Sequence, residues 1–355
     1  MLTPSKAINI FADTDVFDSI KLFSAEFHKL GLKTRNRGRL LIASSEGKQC
    51  LLLKEETSFT ALTAYRMLKD KRLARAAFRE AGVSFADGKA FNVRNREGAR
   101  QKVAEFGIAV VKPADGNKGR GVSVNVTSET FDVAWDAALR LASSHILVER
   151  CFTGGDEARY LVVDERCVAV TMRTPPFLIG DGRRSVSKLI DNKNKVRSGN
   201  PHLRSRPILL DSFRKLILKS QSLEPDSVPA SGQRVILDWK SNASTGGETT
   251  EITDYAHPSM KRVAERVASA IPGLHVGGID ILSKDHTAEA NPQDYIVVEA
   301  NTRPDLGLHL FPMYGKPVNV CELIAESCVK HMGINARRVR GMHIVRANGG
   351  ASIGP

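Results

Sequence analysis

The order of apolar and polar positions predicts short strands and helices that alternate along the chain. The N-terminal segment contains an apolar run, a helical pattern and two strand-like runs, at residues 8–11, 16–30, 40–43 and 50–53. These elements predict a small α/β unit. Helical spacing continues over residues 58–81 and predicts one long helix that ends at Gly82.

The middle of the chain has the pattern of a second small unit. Strands are predicted at 90–93, 108–112, 122–126 and 145–150, and helices at 97–105 and 130–143. A glycine-rich turn at 115–121 joins two of the strands as a hairpin. Because a strand follows this turn instead of a helix, it does not match the P-loop or the dinucleotide-binding fingerprint.

The rest of the chain is predicted to form a larger unit. Strands are expected at 159–163, 167–172, 235–238, 276–282 and 295–300, and helices at 185–194, 211–221, 258–271 and 318–331. The first two strands form an antiparallel pair about a turn at Asp164 and Glu165. Residues 242–248 are predicted to be a loop of small residues, and residues 341–355 a loose tail.

Composition agrees with a globular protein and disfavours several other classes. The chain has 355 residues, of which 42% are hydrophobic and 26% charged. It has no apolar run of about 18 residues, which a membrane span requires, and no visible secretory signal. Its five cysteines are widely spaced, odd in number and without a CxxC motif. We therefore expect reduced thiols in a cytoplasmic protein, with no disulfide framework and no zinc site.

The net charge of +13, from 52 basic and 39 acidic residues, has three explanations. The surface binds nucleic acid, it attracts anionic small molecules such as nucleoside triphosphates, or it is simply a solvated basic surface. No basic stretch is interleaved with aromatic residues, which disfavours nucleic acid.

Acidic and amide side chains near two predicted strands suggest a metal site. Asp280 lies on one strand, and Glu299 and Asn301 lie on or just after another, two residues apart and therefore on one face. If the two strands are neighbours, three oxygen-bearing side chains converge, which suits Mg²⁺. The alternative is that these residues are merely solvated at strand ends.

Lys112 and the turn that follows it suggest a phosphate site. Lys112 closes an apolar strand, where a lysine needs a negative partner. The glycines of the turn allow backbone N–H groups, with Lys118 and Arg120, to approach a phosphate. The alternative is a hairpin with basic decoration.

Two carboxylates near the end of the next strand suggest nucleoside recognition. Glu149 ends that strand, and Glu157 follows a turn of two glycines. The backbone near Glu149 would face adenine and a carboxylate would face the ribose, or the segment is an exposed turn of mixed charge. The loop 241–250 wraps a phosphate or a substrate carboxylate, or it is simply a turn cluster. No GxSxG, HExxH or Ser–His–Asp signature is present.

Eight segments occur in the same order as in a known superfamily. They span residues 69–83, 110–124, 146–163, 179–190, 223–237, 241–258, 277–281 and 297–320. On these segments the chain resembles the ATP-grasp superfamily and, within it, the ligase domain of cyanophycin synthetases. The resemblance implies an α/β (α+β) fold with an N-terminal α/β domain at 1–70, a lid subdomain at 71–150 and a catalytic subdomain at 151–340, followed by a tail at 341–355.

The resemblance also implies roles for individual residues. Lys71 and Lys112 resemble the phosphate-binding lysines. The closing loop over the triphosphate corresponds to Gly116, Lys118, Gly119, Arg120 and Gly121. Glu149 is expected on the adenine side and Glu157 at the ribose. Mg²⁺, or Mn²⁺ in its place, is expected on Asp280, Glu299 and Asn301. The candidates near the transferred phosphate and acyl group are Arg159, Asn242 and Arg303.

The implied activity is ATP-dependent amide formation between amino acids or peptides, through an acyl-phosphate, with ADP and phosphate released. The family suggests a homodimer that acts on small-molecule substrates. Alternatives are a ligase for a carboxylate that is not an amino acid, and a degenerate ATP-binding regulatory module. The sequence departs from the family at Lys118, Trp239, Asp305 and Gly307, mostly on the acceptor side. It also lacks the Mur-ligase-like ATPase, so cyanophycin assembly itself is not expected.

Overall fold

A computed structural model gives the structure of the protein and describes residues 17–115 and 119–334. The predicted run at 8–11 and the predicted tail at 341–355 lie outside the described residues, as do Gly116 and Lys118.

The described N-terminal part is one helix packed on a four-stranded antiparallel meander. Its elements are α1 (Ser19–Lys29), β1 (Lys33–Arg37), β2 (Leu40–Ser45), β3 (Lys48–Leu53) and β4 (Glu56–Thr57). The Asp18 side chain accepts from the Ile20 N–H and so caps α1. Phe23 and Phe27 of α1 are fully buried in a core with Leu41 and Leu52 of the sheet, so the predicted helix and strands form because each has one apolar face.

Two helices replace the single helix predicted over residues 58–81, so that prediction was wrong. They are α2 (Leu62–Lys69) and α3 (Lys71–Glu80). The break falls at Asp70, whose backbone is extended and whose carboxylate accepts from the Arg72 N–H. A short acidic side chain at this point satisfies an N–H group of a new helix, which allows the chain to turn.

The described residues between 88 and 150 form a second four-stranded antiparallel sheet with two helices, and we call the sheet the lid sheet. Its elements are β5 (Gly88–Asn92), α4 (Arg96–Phe106), β6 (Ala109–Pro113), β7 (Ser123–Val126), α5 (Phe131–Leu139) and β8 (His145–Arg150), and the strand order is β5-β8-β6-β7. Val103, Phe131 and Trp135 of the two helices cover one face. Helix α5 is shorter than predicted, and the glycine-rich turn joins β6 to β7 as expected.

The remaining residues build the central sheet and its surroundings. In chain order the elements are β9 (Asp156–Val163), β10 (Arg166–Thr174), β11 (Phe177–Ile179), α6 (Val186–Ser198), α7 (Ser212–Lys219), β12 (Arg234–Ile236), β13 (Glu248–Glu251), α8 (Pro258–Ser269), β14 (Val276–Ser283), β15 (Tyr295–Asn301), α9 (Gly307–Leu310) and α10 (Val320–His331). The central sheet is antiparallel in the order β13-β10-β9-β14-β15, and β11 pairs with β12.

The pairing of β9 with β10 confirms the predicted hairpin, and Asp164 and Glu165 both adopt positive φ at its turn. Strand β13 was not predicted, and the predicted loop 242–248 gives only a short 3₁₀ turn before it. The β13 sequence is Glu-Thr-Thr-Glu, which has no apolar alternation although all four residues are buried.

The two faces of the central sheet differ in character. On one face Tyr160 and Ile279 pack with helix α8 and with helices α2 and α3. On the other face Leu161 and Val163 pack with α1 and α10, whereas the other end of the same face carries polar side chains. The described residues therefore form an α+β fold, as predicted. Among the described helices, none is long and apolar enough to cross a bilayer.

Candidate functional site

A cleft of about 1140 Å³ lies where the lid sheet, helix α3, strand β15 and the N-terminal unit meet. Six of the predicted site residues line it: Lys71, Lys112, Glu149, Glu299, Asn301 and Arg303. The fold therefore brings together predicted residues that are up to 232 positions apart in the chain.

The lid sheet contributes a buried ion pair to the cleft. Lys112 on β6 and Glu149 on β8 share the face opposite helices α4 and α5, and Lys112 Nζ lies 2.8 Å from Glu149 Oε2. Both side chains are less than a tenth exposed. Arg75 Nη2 lies 3.4 Å from the other oxygen of Glu149. Glu149 is therefore the negative partner that the buried lysine needs, and its carboxylate serves two cations.

Helix α3 brings a second lysine to the same wall. Lys71 is the first residue of α3, and its N–H donates to the carbonyl of Ala114 at 3.0 Å, which ties the helix to the end of β6. Burial lowers the pKa of the Lys71 ammonium, against the attraction of Glu299 and Glu149. We call Lys71, Arg75, Lys112 and Glu149 the lysine wall of the cleft.

A row of polar residues crosses the central sheet from edge to edge. Paired residues in adjacent strands give the order Glu251, Thr171, Arg159, Asp280 and Glu299. Asp280 and Glu299 are thus direct partners on β14 and β15, which meets the condition that the sequence prediction required. Asn301 lies two residues beyond Glu299 on the same face, opposite Gly278.

Asp280 is held by two guanidinium groups. Arg159 binds it through two nitrogens, one of them Nη2 at 2.8 Å from Oδ2, and Arg173 Nη2 lies 2.9 Å from the same oxygen. Burial alone would raise the pKa of Asp280, but the two cations outweigh burial and lower that pKa to about 2. Gly278 makes room for this clamp, because a Cβ there would lie 2.8 Å from Arg159 Cδ.

The donor set near Glu299 fits a hard cation. Glu299 and Asn301 line the cleft, and Glu299 Oε1 accepts from Asn301 Nδ2 at 2.9 Å, so both oxygen donors are adjacent. A carboxylate and an amide oxygen are ligands that Mg²⁺ accepts together with phosphate oxygens and water. Asp280 has both oxygens engaged by arginine and does not line the cleft, so it fits the ion only if one guanidinium moves away.

Like Asp280, the predicted residues Arg159, Glu157 and Asn242 do not line the cleft. Arg159 clamps Asp280, and Glu157 bonds to Arg173 at 2.5 Å and to Ser241. Asn242 caps the 3₁₀ turn by accepting from the Ser244 N–H at 3.0 Å. Their predicted contacts with ribose, phosphate and acyl group remain predictions.

The described part of the predicted phosphate loop consists of Gly119, Arg120 and Gly121. Both glycines adopt positive φ, and Arg120 is exposed. Lys240 Nζ donates to the carbonyl of Val122 at 3.3 Å and so joins this turn to the start of the 241–250 loop. The predicted role of this turn in phosphate binding remains a prediction.

Sequence reasoning missed Arg75 and Arg173. Arg75 follows Lys71 by four positions, so helical spacing could have placed both on one face. Arg173 lies two residues beyond Thr171 on β10, but the strand was predicted to end at residue 172. Asp280 and Glu157 raise the pKa of Arg173, although burial opposes its charge.

A second wall of the cleft carries arginines from loops. Arg206 Nη1 lies 3.1 Å from Asp305 Oδ2, and His202 Nε2 lies 2.9 Å from Asp305 Oδ1. Arg303 Nε lies 3.2 Å from Glu55 Oε2 in the N-terminal unit. We call the cleft-lining residues Arg39, Lys54, Arg206, Arg303 and Asp305 the arginine wall. No sequence pattern connects residue 206 with residue 305, so Arg303 is the one member of this wall that was predicted as a site residue.

Another cluster with metal-binding atoms lies at the start of β14 and consists of Asp164, His275 and His331. Its members are already hydrogen-bonded: His275 contacts Thr57 at 2.6 Å and Ser327 at 2.7 Å. Burial lowers the pKa of His275 to about 4. The imidazole nitrogens of this cluster suit transition metals more than Mg²⁺. Through its contacts with Thr57 and Ser327, His275 joins the N-terminal unit to α10.

Comparisons with known proteins agree with this arrangement. A family model described as the ATP binding domain of the carbamoyl-phosphate synthase L chain matches residues 70–174. Cyanophycin synthetase from Nostoc sp. is 34% identical over 76% of this chain and 30% of its own length. The glutathione biosynthesis bifunctional protein from Clostridium perfringens is 29% identical over 91% of this chain and 42% of its own length.

A solved structure shows the same likeness in three dimensions. The bifunctional glutathione synthetase from Pasteurella multocida has a TM-score of 0.64 and 26% identity, over 86% of this chain and 43% of that one. The chain spans less than half the length of each of these relatives. The chain belongs to the ATP-grasp superfamily, as its fold, its cleft and these matches together indicate.

Proposed function

We propose that this protein is an ATP-dependent carboxylate–amine ligase that joins amino acids or peptides through an acyl-phosphate. One observation carries the proposal: a single cleft unites the buried lysine wall with the oxygen donors Glu299 and Asn301. Cations on one side and hard-cation ligands on the other match the needs of a triphosphate whose γ-phosphoryl group is transferred. Cyanophycin synthetase from Nostoc sp. and the bifunctional glutathione synthetase from Pasteurella multocida each match most of this chain.

The proposed reaction has two steps. An oxygen of the substrate carboxylate attacks the γ-phosphorus of ATP, an O–P bond forms, and the bond to the bridging oxygen breaks to release ADP. The amine nitrogen of the second substrate then attacks the acyl carbon. The C–O bond to phosphate breaks, phosphate leaves, the nitrogen loses a proton, and an amide remains. No covalent enzyme nucleophile is needed, so the protein contributes positioning and charge.

The lysine wall supplies charge where the phosphates would lie. Lys112 is fixed by Glu149 and is therefore held in one place before nucleotide binds. Lys71 lies at the N-terminus of α3, where the helix dipole adds to its positive charge. Glu299 and Asn301 would hold Mg²⁺, which neutralises charge on the phosphate oxygens when it is bound.

Release of ADP by the purified protein tests the proposal. The protein is mixed with ATP, Mg²⁺ and pools of amino acids or dipeptides, and ADP is followed with and without each pool. We expect release to depend on Mg²⁺ and to rise with at least one pool. ATP binding without any stimulated release would favour a regulatory module, and stimulation only by carboxylates that are not amino acids would redirect the proposal to that class.

A further inference from the structure

Three side chains with metal-binding atoms meet outside the cleft, at the start of β14. Asp164 lies in the turn between β9 and β10, His275 directly precedes β14, and His331 is the last residue of α10. None of these three described residues lines the cleft. One nitrogen of each imidazole and one carboxylate oxygen all lie within 4.8 Å of one another. We call the three residues the histidine cluster.

The separations within the histidine cluster suit one small dication. Asp164 Oδ1 lies 3.7 Å from His275 Nε2 and 2.6 Å from His331 Nε2. Bonds of about 2.0–2.2 Å at a tetrahedral ion place its ligand atoms roughly 3.4 Å apart. The observed separations lie on both sides of that value, so shifts of less than about 1 Å in each side chain would bring all three atoms to such an ion.

Hydrogen bonds orient His275 before any ion binds. Its Nδ1 is bonded to Thr57 Oγ1 at 2.6 Å, so Nε2 is the nitrogen that faces Asp164. Ser327 Oγ lies 2.7 Å from the same Nε2 and donates to Asp164 Oδ2 at 2.6 Å. A histidine that binds a metal usually has a partner at its other ring nitrogen, and a carboxylate ligand is usually hydrogen-bonded as well. Thr57 and Ser327 already supply both contacts.

The backbone and an aromatic ring hold the members of the cluster in place. The Asp164 N–H donates to the carbonyl of His275 at 3.0 Å. The Phe59 ring is stacked on His331 with ring centroids 5.0 Å apart, and it meets the His275 ring edge-on at 5.4 Å. Because these contacts already restrict the imidazoles, little conformational freedom is lost when an ion binds.

One side of the cluster is open to solvent, which gives an ion a route to it. The His275 side chain is 1% exposed, that of Asp164 24% and that of His331 41%. Three protein ligands at an ion that usually has four leave one position for water on this side. Lys330 Nζ lies 3.9 Å from Asp164 Oδ2, but its side chain is 80% exposed, so it is a weak competitor for the carboxylate.

We propose that Asp164, His275 and His331 form a binding site for a divalent transition-metal ion such as Zn²⁺. Two imidazole nitrogens and one carboxylate oxygen are ligands that such ions prefer, whereas Mg²⁺ prefers oxygen ligands. The ion would join the β9–β10 turn and β14 to α10, and through Thr57 and Phe59 it would steady the N-terminal unit. The inference does not depend on the proposed ligase activity, and the site is separate from the one proposed for Mg²⁺ at Glu299.

Calorimetry with Zn²⁺ tests the site. The full chain, without an affinity tag and stripped of metal with a chelator, is titrated with Zn²⁺ in the presence of excess Mg²⁺. We expect one Zn²⁺ to bind per chain. We also expect the thermal midpoint to rise as Zn²⁺ is added, because the ion binds the folded state.

Two substitutions remove ligands at positions where the fold should tolerate the change. Asp164 adopts φ +48, a conformation that Asn accepts as readily as Asp, so Asp164→Asn keeps the turn. His331→Ala removes a partly exposed side chain at the end of α10. Each should weaken Zn²⁺ binding at least about 100-fold and abolish the rise in thermal midpoint. Thr57→Val removes only the partner of His275 Nδ1 and should weaken binding about 10- to 100-fold.

Three further variants separate the histidine cluster from other sites. His145→Gln removes a histidine of the lid sheet, and Glu299→Gln removes a proposed magnesium ligand. Both should bind Zn²⁺ as the unsubstituted protein does. Lys330→Gln removes the competing charge beside Asp164 and should tighten binding about 1.5- to 5-fold.

Three results would overturn the inference. The absence of saturable Zn²⁺ binding would show that the cluster is a hydrogen-bonded network that holds no ion. Unchanged binding in both Asp164→Asn and His331→Ala would assign the ion to other residues. Weaker binding in Glu299→Gln, with these two variants unaffected, would place the ion at the proposed magnesium site.

Discussion

The two walls of the cleft are built in different ways. The lysine wall rests on regular elements: Lys112 and Glu149 are diagonal neighbours on paired strands, and Lys71 begins a helix. The arginine wall rests on loops and on the start of α9, with side chains from four separate segments. In the lysine wall Glu149 forms ion pairs with Lys112 and Arg75, whereas Arg39 and Lys54 of the other wall form no ion pair within the described residues.

This difference separates two tasks. A wall whose cations are already fixed by a buried carboxylate is preorganised for a constant ligand, such as a triphosphate. A wall with uncommitted cations on loops is suited to a ligand that differs among members of a superfamily, because loops change more readily than paired strands. Changes on the lysine wall should therefore affect ATP, and changes on the arginine wall should affect the other substrates.

Glu299→Gln is the change with the largest expected effect, because Glu299 is the carboxylate among the proposed magnesium ligands that lines the cleft. Loss of the charge should lower the rate of ADP release by at least about 100-fold, with the thermal midpoint nearly unchanged. Initial rates at saturating ATP and Mg²⁺ measure this. Glu289→Gln, at an exposed position beyond β14, is the matched control. Near-normal turnover in Glu299→Gln would refute the metal assignment.

Lys112→Met and Lys54→Met test the separation of the walls most directly. Lys112→Met removes a charge-assisted contact and should raise KM for ATP about 10- to 100-fold. Glu149 keeps Arg75 as a partner in this variant, which limits the loss of stability. Lys54→Met should leave KM for ATP within about twofold. Similar KM values for ATP in both variants would show that the walls do not divide the work in this way.

The pH dependence of ATP affinity should distinguish the lysine wall again. Burial lowers the pKa of Lys71, so its ammonium group loses its proton at a lower pH than an ordinary lysine does. The neutral form of Lys71 therefore becomes more populated as the pH rises from neutral toward the usual lysine pKa. KM for ATP should therefore rise about 3- to 10-fold between neutral and alkaline pH. Lys71→Arg should flatten the profile, because arginine does not titrate there. A profile that Lys71→Arg leaves unchanged would assign the titration to another group.

The smallest expected effect belongs to the residue that positions Lys71. Asp70→Ala removes the N-cap of α3 and its contact with Arg72, and should lower the free energy of unfolding by about 1 kcal/mol. Urea denaturation measures this. Glu80→Ala, at the other end of the same helix, should change the free energy by less than about 0.5 kcal/mol. A loss in Asp70→Ala no larger than in Glu80→Ala would mean that the cap does not fix the helix start.

Only part of the lysine wall could be predicted from the sequence. Lys112 stood out as a lysine that closes an apolar strand, Lys71 was identified only through the family resemblance, and Arg75 was missed. The pairing of Asp280 with Glu299 was predictable only on the condition that β14 and β15 are neighbours, since strand order is not encoded in local spacing. Strand β13 was missed because Glu-Thr-Thr-Glu lacks apolar alternation, and the break at Asp70 was missed because helical spacing continues across it.

Apart from Arg303, the arginine wall could not be predicted, for a physical reason. His202 and Arg206 lie between α6 and α7, about a hundred positions from Asp305, and no periodicity links them. The sequence showed only that positions 305 and 307 were unusual for the superfamily. The structure explains both at once, because the His202 ring needs Gly307 and its Nε2 faces Asp305.

The most direct test of the central claim is the release of ADP by the purified full chain, with Mg²⁺ and pools of amino acids or dipeptides, alongside a measurement of ATP binding. The account predicts that ATP binds, that ADP release requires Mg²⁺, and that at least one pool stimulates release. Failure to bind ATP, together with no stimulation by any pool, would contradict it.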